Sequence, residues 1–243
     1  MIGFGQALSL ALAPQGPVTP AFDPRNIATL SEWFDFRVLA GAADGDPIGE
    51  LAGRKGLYTL TASGIARPTW ATNDGDGFPS VLYDGENSTM HAAISNEALF
   101  GTTGNFEFWL VVRLAASQIR FAGCFGSSYS SDQVGLSFSE DAGVLSMSDY
   151  SVNVEFESSL WDDSWHVIRC SKNGASRLVQ FDGTTIYSAS TSAGSYVTGP
   201  ADLFVGFSFG FYMNGAVRHW LATTAPLDDA TAALLNSYLE AAK

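Results

Sequence analysis

The stretch Phe106-Glu107-Phe108-Trp109-Leu110-Val111-Val112-Arg113-Leu114 contains the clearest structural pattern in the chain. In an extended strand, side chains two positions apart point to the same side. Here every second residue from Phe106 to Leu114 is apolar, whereas Glu107 and Arg113 fall on the opposite side. The stretch therefore predicts a strand that places one face in a hydrophobic core.

Further short strands surround this one. Residues 165–170 and 177–181 flank the sequence Ser-Lys-Asn-Gly, and Asn-Gly is typical of tight hairpin turns. Turn-forming residues separate the other predicted strands, which are 80–84, 134–138, 144–148, 152–156, 203–209 and 216–221. Because helices do not alternate with these strands, the pattern predicts an all-β, antiparallel two-sheet sandwich rather than a parallel α/β fold.

Only the C-terminus shows helical spacing of apolar residues. Asp228 is a suitable N-cap, and Asp229 is favourable near the positive end of the helix dipole. The pattern predicts one helix over about 228–241, carried by Leu227, Ala230, Leu234, Tyr238 and Ala241.

Composition excludes several classes of protein. The 243 residues include 12 basic and 25 acidic side chains, so the net charge is −13, which disfavours binding to a nucleic-acid backbone. No window approaches the roughly 18–20 continuous apolar residues of a membrane span. The apolar run at 7–13 has no Lys or Arg before it, so the sequence predicts no secretory signal peptide.

The first 24 residues differ from the rest of the chain. Four prolines follow an apolar stretch, and proline fixes φ and lacks an amide donor, so residues 1–24 are predicted to be an extended arm ahead of one domain at 25–243. The arm is either a frayed terminus or an anchor on a neighbouring subunit. The cost of exposing its large apolar side chains favours the anchor; these are Ile2, Phe4, Leu8, Leu10 and Leu12.

Several local sequences occur in the order of a known family. They are Ser31-Glu32-Trp33-Phe34-Asp35, Ala66-Arg67-Pro68-Thr69-Trp70, Gly77-Phe78-Pro79-Ser80-Val81-Leu82-Tyr83-Asp84-Gly85, Asp163-Ser164-Trp165-His166-Val167-Ile168 and Arg177-Leu178-Val179-Gln180-Phe181-Asp182-Gly183-Thr184. From about residue 31 to 241 the chain thus resembles the concanavalin A-like, laminin-G-like jelly rolls of bacterial surface and phage structural proteins. Lectins, glycan hydrolases and structural modules share that scaffold, so the fold alone does not give the function.

One acidic pair is a candidate for glycan hydrolysis. Glu155 and Glu157 alternate on a predicted strand, and hydrolysis requires two carboxylates on one face, roughly 5–5.5 Å apart for retention or 6.5–9.5 Å for inversion. The hydrolytic members of the resembled family carry a third alternating acid, where this chain has Ser159. We therefore expect two solvated acids and a protein that is not an enzyme.

A second acidic pair is a candidate for metal binding. The loop Asn73-Asp74-Gly75-Asp76-Gly77 offers the oxygen ligands that Ca²⁺ takes, but it lacks the bidentate Glu of an EF-hand, and Asp-Gly is an ordinary turn sequence. Asp74 and Asp76 are either a calcium site or turn residues. Cys124 and Cys170 lie in apolar stretches and are predicted to be buried, and their spacing leaves open whether they pair.

Aromatic and hydroxyl side chains are the remaining candidates for recognition. Tyr129 and Tyr196 lie in loops rich in Ser, and Tyr212 follows a run of phenylalanines. Such a composition combines rigid aromatic area with adaptable hydroxyls and suits a polar ligand or a protein partner. The alternative is that these loops are only solvated.

The resemblance and the arm together lead to a hypothesis about function. We expect a non-enzymatic virion component, part of a capsid decoration, head fibre or tail fibre, which docks on other virion proteins through its arm and presents the jelly roll, with host-surface glycans as candidate ligands. Symmetric assembly as a trimer or pentamer fits such positions. The alternative is a calcium-assisted lectin or a glycan hydrolase.

Overall fold

A computed structural model describes residues 22–115, 124–127, 134–139, 144–149, 152–157, 162–191, 202–208 and 211–243. Its strands, in chain order, are β1 (Leu30–Asp35), β2 (Glu50–Ala52), β3 (Thr59–Thr61), β4 (Thr69–Ala71), β5 (Ser80–Asp84), β6 (Met90–Ala93), β7 (Phe106–Leu114), β8 (Cys124–Ser127), β9 (Val134–Ser139), β10 (Val144–Asp149), β11 (Val152–Glu157), β12 (Trp165–Asn173), β13 (Ser176–Phe181), β14 (Thr184–Ser190), β15 (Asp202–Val205), β16 (Phe207–Ser208), β17 (Phe211–Tyr212) and β18 (Asn214–Thr223). The α-helices are α1 (Asn96–Phe100) and α2 (Asp229–Glu240). Short 3-10 helices lie at Pro24–Asn26 and Gly64–Ala66.

The strands form two antiparallel sheets that pack face to face. The first sheet has the order β14-β13-β12-β7-β18-β5-β4, with β1 also paired to β18, and the second has the order β11-β10-β9-β8-β15-β6-β3-β2. Apolar side chains from both inner faces meet in one core, which includes Phe34, Phe108, Leu110 and Trp220 from the first sheet and Leu60, Met90, Leu203 and Val205 from the second. The predicted all-β two-sheet sandwich is confirmed.

Helix α2 covers part of the outer face of the first sheet. Asp228 caps the helix by accepting a hydrogen bond from the Thr231 amide at 2.9 Å, as the sequence predicts. Leu235 and Leu239 pack on Trp109 of β7 in a second hydrophobic cluster. Both faces of β7 are therefore buried along much of its length, so the expectation of a single core face was incomplete.

Most predicted strands are present, and so is the hairpin at 165–181, but its turn lies one residue later than the predicted Asn-Gly, at Gly174 (φ +58°) and Ala175. The strand predicted over 203–209 is instead divided into β15 and β16 at Gly206. Gly206 has φ +86°, and a Cβ there would come within 2.4 Å of the Tyr83 ring. The positive φ, which glycine adopts without strain, turns the backbone out of the extended conformation, and the absence of a side chain makes room for the Tyr83 ring, so the strand stops at this residue.

Some predictions concern residues outside the described part of the chain. These are the arm at 1–21, including Ile2, Phe4, Leu8, Leu10 and Leu12, and the loop residues Tyr129 and Tyr196. Cys170 is a free, fully buried thiol, and burial raises its pKa. Among the described residues, no helix is both long and apolar enough to cross a membrane.

Candidate functional site

Beyond the C-terminal end of α2, the outer face of the first sheet carries charged side chains instead of the apolar ones that the helix covers. Three side chains, Arg113 of β7, Trp165 of β12 and Arg218 of β18, lie together there, and we call them the arginine cluster. The Arg218 guanidinium carbon stands 3.9 Å from the centroid of the Trp165 ring, and the Arg113 guanidinium carbon stands 5.7 Å from it. Arginine stacked on an aromatic face is stabilised by cation–π attraction.

The loop at 73–77, which the sequence offers as either a calcium site or a turn, folds against the arginine cluster. The Asn73 side-chain oxygen accepts hydrogen bonds from the amides of Gly75 (3.1 Å) and Gly77 (2.9 Å). Both glycines have positive φ, +88° and +94°, which the tight turn requires. The short Asx turn therefore comes from the Asn and Gly residues that made the loop recognisable in the sequence.

Asp74 forms a two-pronged ion pair with Arg113. Its two carboxylate oxygens accept from one guanidinium nitrogen at 2.7 and 2.8 Å, and the other terminal nitrogen of Arg113 donates to Asp163 at 2.7 Å. The Ser80 hydroxyl also donates to Asp74 at 3.0 Å. Arg113 is thus a clamp that joins the loop at 73–78 to the turn before β12.

Asp76 pairs with the second arginine. Arg218 has a fully buried side chain and donates to Asp76 at 2.5 Å, and this bond lowers the pKa of the carboxyl group below its ordinary value. Arg218 also donates to the carbonyl of Ala242, just past the end of α2, at 3.2 Å. A cation at this position is favourable because carbonyl groups converge at the C-terminal end of a helix.

These pairs bear directly on the calcium prediction. The two carboxylates bind guanidinium groups, so a calcium ion would have to displace both arginines. No group of three or more His, Cys, Asp or Glu side chains is placed to hold a metal ion in the part of the chain that the structure describes. Calcium binding by Asp74 and Asp76 stays a prediction, and the contacts favour the turn alternative.

The aromatic candidate Tyr212 lies in the ribbon that β16 and β17 form. Its ring is half-buried and stands 4.8 Å, centroid to centroid, from that of Phe207. Phe207 contacts Phe204 at 5.7 Å, and Phe204 stacks on His91 at 5.9 Å. Tyr212 is thus one member of an aromatic row, whereas the other two predicted tyrosines lie outside the described residues.

The two histidines on the first sheet have opposite environments. His219 is fully buried, its Nδ1 accepts from the Trp33 indole at 3.1 Å, and burial lowers its pKa to about 3. His166 lies between Asp182 (2.8 Å) and Asp162 (3.1 Å), and the bond to Asp182 raises its pKa. Both histidines therefore have structural partners.

The candidate hydrolytic pair lies on the last strand of the second sheet. The backbone of Glu155 pairs in register with Ser146, and that of Glu157 pairs with Val144. Strand β11 is the edge strand of the second sheet, whereas β7 and β18 belong to the first. The backbone therefore does not bring this pair to the arginine cluster.

Sequence reasoning missed the arginine cluster. The signal was an arginine within a mostly apolar strand, which occurs twice, at Arg113 and at Arg218. A buried charge requires a partner, so each arginine predicts an acid nearby. The alternating pattern does not identify that acid, because Asp74 and Asp76 lie in a distant loop.

No family model and no curated protein sequence matches the chain. Solved structures do match: the chain is similar to Trypanosoma rangeli sialidase (TM-score 0.61, 11% identity, 92% of this chain and 36% of that chain). It is also similar to the binding domain of Paraclostridial Mosquitocidal Protein 1 (0.59, 16%, 86% and 52%) and to the botulinum neurotoxin type G receptor-binding domain (0.58, 13%, 87% and 52%).

The chain spans about a third of the sialidase and about half of each toxin domain. At identities of 11–16%, the likeness shows the fold alone. The two-sheet β-sandwich that the sequence predicts is thus a scaffold found in both an enzyme and binding domains.

Proposed function

We propose that the chain is a non-enzymatic virion structural protein, carried on a particle through residues 1–24 and presenting its sandwich to host-surface glycans. The observation that carries the recognition role is the uneven cover of the first sheet. Helix α2 buries Trp109 and Val111 of β7, whereas Arg113 lies beyond the helix. A polar sheet surface beside the arginine cluster is thereby left available to a ligand.

The acids and bases of the described residues support binding rather than catalysis. Asp74, Asp76 and Glu107 each pair with an arginine, and Asp182 pairs with His166 and Lys243. A carboxylate held in such a pair is oriented toward its partner rather than toward a substrate, so it is poorly placed to act as a general acid. The solved structures include one enzyme and two binding domains, which is compatible with a sandwich adapted to glycan recognition.

The amino-acid sequence of the arm supports anchoring. Residues 1–22 contain no charged side chain, and their large apolar residues suit a hydrophobic groove on another virion protein. Extended arms of this kind are compatible with symmetric assembly, for which we propose a trimer or pentamer. The acidic balance of the chain would keep the exposed sandwich soluble.

Substitution of the arm in the full chain tests the anchoring. Replacing Leu8, Leu10 and Leu12 together with serine should leave the unfolding midpoint unchanged and abolish incorporation into particles. A chain lacking residues 1–20 should behave in the same way. Normal incorporation of either variant would contradict the proposed anchor.

Binding of the full chain to host cells and to a glycan array tests the recognition role. We expect binding that persists in chelator and releases no cleaved sugar. Binding that requires Ca²⁺ would favour the lectin alternative, and release of sugar that Glu157→Gln abolishes would favour the hydrolase. Absence of any glycan binding would contradict the recognition role.

A further inference from the structure

A groove of about 360 Å³ opens beside the arginine cluster on the outer face of the first sheet. Val81 and Tyr83 of β5 point into the core between the sheets, so the alternating Leu82 lies on the outer face. The backbone register continues from Leu82 through Ala216 to Arg113. Leu82 and the half-buried Ala115 therefore give the groove an apolar floor.

Hydrogen-bonding groups surround this floor. The exposed Arg67 has no ion pair or hydrogen bond among the described residues, so its guanidinium donors are free there. Asn214 contributes an amide side chain that also has no partner within the described part of the chain. Both side chains can therefore bond a ligand without giving up a contact within the described structure.

Two aspartates supply acceptors and are already oriented. One oxygen of Asp84 accepts from the amides of Glu86 (2.9 Å), Asn87 (3.0 Å) and Ser88 (3.0 Å), which fixes this carboxylate at the rim of the groove. Asp163 is held through one oxygen by Arg113. Asp163 is thus held in place with its second oxygen left to accept from a ligand.

The chemistry of the groove selects a particular class of ligand. Carboxylate oxygens accept from hydroxyl groups, the guanidinium of Arg67 donates to hydroxyl oxygens, and the apolar floor suits the C–H face of a sugar ring. Two carboxylates at the rim disfavour an acidic sugar. A bare cation is also disfavoured, because no metal-binding group of three acids or histidines occurs among the described residues.

We propose that this groove is a subsite for a neutral hexopyranose, with Arg67, Asp163 and Asn214 as its hydrogen-bonding residues. This inference rests on the proposed glycan-recognition role and names the ligand class and its position. The volume of the groove is at the lower end of the range for small-molecule sites, which matches one or two sugar rings.

Saturation-transfer NMR on the full chain tests the subsite with the methyl glycosides of glucose, galactose and mannose, and with N-acetylneuraminic acid as the acidic comparison. We expect transfer to at least one neutral glycoside and none to the acid. Arg67→Ala and Asp163→Asn should each weaken binding about tenfold, because each removes a charged hydrogen-bond partner. Asparagine tolerates the positive φ of +59° at position 163, so this variant keeps the backbone.

Arg25→Ala is the matched control, since Arg25 is an exposed arginine that pairs with Asp23 outside the groove, and it should bind like the parent chain. Binding that neither groove variant weakens would overturn the subsite, as would binding of only the acidic sugar, binding only in Ca²⁺, or no binding of any neutral glycoside. If the full chain still adheres to a glycan array after any of these results, only the subsite fails. If the array is also blank, the recognition role fails with it.

Discussion

Strand β7 passes through two environments on the outer face of the first sheet. A charged side chain is fully buried in one of them and partly exposed in the other. Glu107 lies beneath α2, fully buried, and pairs with Arg169 at 2.8 Å and with the Trp109 indole at 2.6 Å. Arg113 lies beyond the helix, is 23% exposed, and joins two aspartates near an open groove. Whether a helix covers the strand decides whether its charged residue becomes part of the framework or part of a surface.

The largest expected effect comes from breaking the covered pair. Glu107→Ala leaves the Arg169 guanidinium, which is nine-tenths buried, without its ion partner. Removing one member of a buried pair costs about 3–5 kcal/mol, because the remaining charge is desolvated and uncompensated. We expect a loss of that size in the free energy of unfolding, measured by urea denaturation.

Two further variants sharpen that measurement. Asp163→Asn acts at the open end of the same face and should cost at most about 1 kcal/mol, as exposed pairs do. Replacing Glu107 and Arg169 together with leucine should restore much of the lost stability, since no unpaired charge remains. Equal losses for Glu107→Ala and Asp163→Asn would mean that cover by α2 does not distinguish the two regions.

The cover itself is tested by two neighbouring leucines of α2. Leu235 is fully buried against the sheet, whereas Leu234 is 55% exposed. Leu235→Ala should cost about 2–5 kcal/mol through lost burial and the cavity that remains. Leu234→Ala removes the same atoms and changes helix propensity by the same amount, yet it should change the free energy of unfolding by no more than about 0.5 kcal/mol. Thermal or urea unfolding of both variants would show whether α2 packs as described.

The strand pattern and the covering helix differ in how far sequence predicts them. Alternation at 106–114 gives the strand directly, because strand periodicity is local. The Asp228 cap likewise predicts where α2 begins. The predicted apolar face of the helix is wrong, because Leu234 is exposed and the neighbouring Leu235 is the residue that packs on the sheet. What the sequence does not give is where α2 docks, because that depends on side chains far apart in the chain, such as Trp109 and Leu235.

In the candidate site, too, the sequence predicts the local backbone but not the contacts between distant residues. The turn at 73–77 is predictable, since Asn and Gly at those positions determine its backbone. The partners of its acids are not, because Asp76 and Arg218 are brought together only by the complete sheet. Short strands such as β2 and β3 also escape prediction, as three residues are too few to show a period.

The two histidines should have smaller effects on the free energy of unfolding. Because their pKa values shift in opposite directions, stability should change with pH in opposite directions. His219 is buried near α2 with a pKa lowered to about 3, so the folded state favours its neutral form. Its contribution to stability is present above the ordinary pKa of 6.5 and is lost as the pH falls toward 3. His219→Gln should therefore show a shallower loss of stability than the parent chain between pH 6.5 and 4.

His166 should respond in the other direction. Its pKa is raised by the bond to Asp182, so its contribution is full below the ordinary pKa of 6.5 and is lost as the pH rises through the folded value. The parent chain should lose up to about 1 kcal/mol relative to His166→Gln between pH 6 and 9. Urea titrations at fixed pH values measure both differences, and parallel pH profiles for the parent and a variant would contradict the assigned environment of that histidine.

The smallest expected effect is that of calcium at the open end of the sheet. A ligand that binds the native state raises its apparent stability, so a calcium site at Asp74 and Asp76 would raise the melting temperature. The guanidinium groups of Arg113 and Arg218 already satisfy these carboxylates, so we expect equal melting temperatures, within about 1 °C, in millimolar Ca²⁺ and in chelator. If Ca²⁺ clearly raised the melting temperature and Asp74→Asn abolished that rise, the cation would have to displace Arg113 from Asp74. The charged residues at the open end of β7 could then exchange their partners, unlike the buried pair beneath α2.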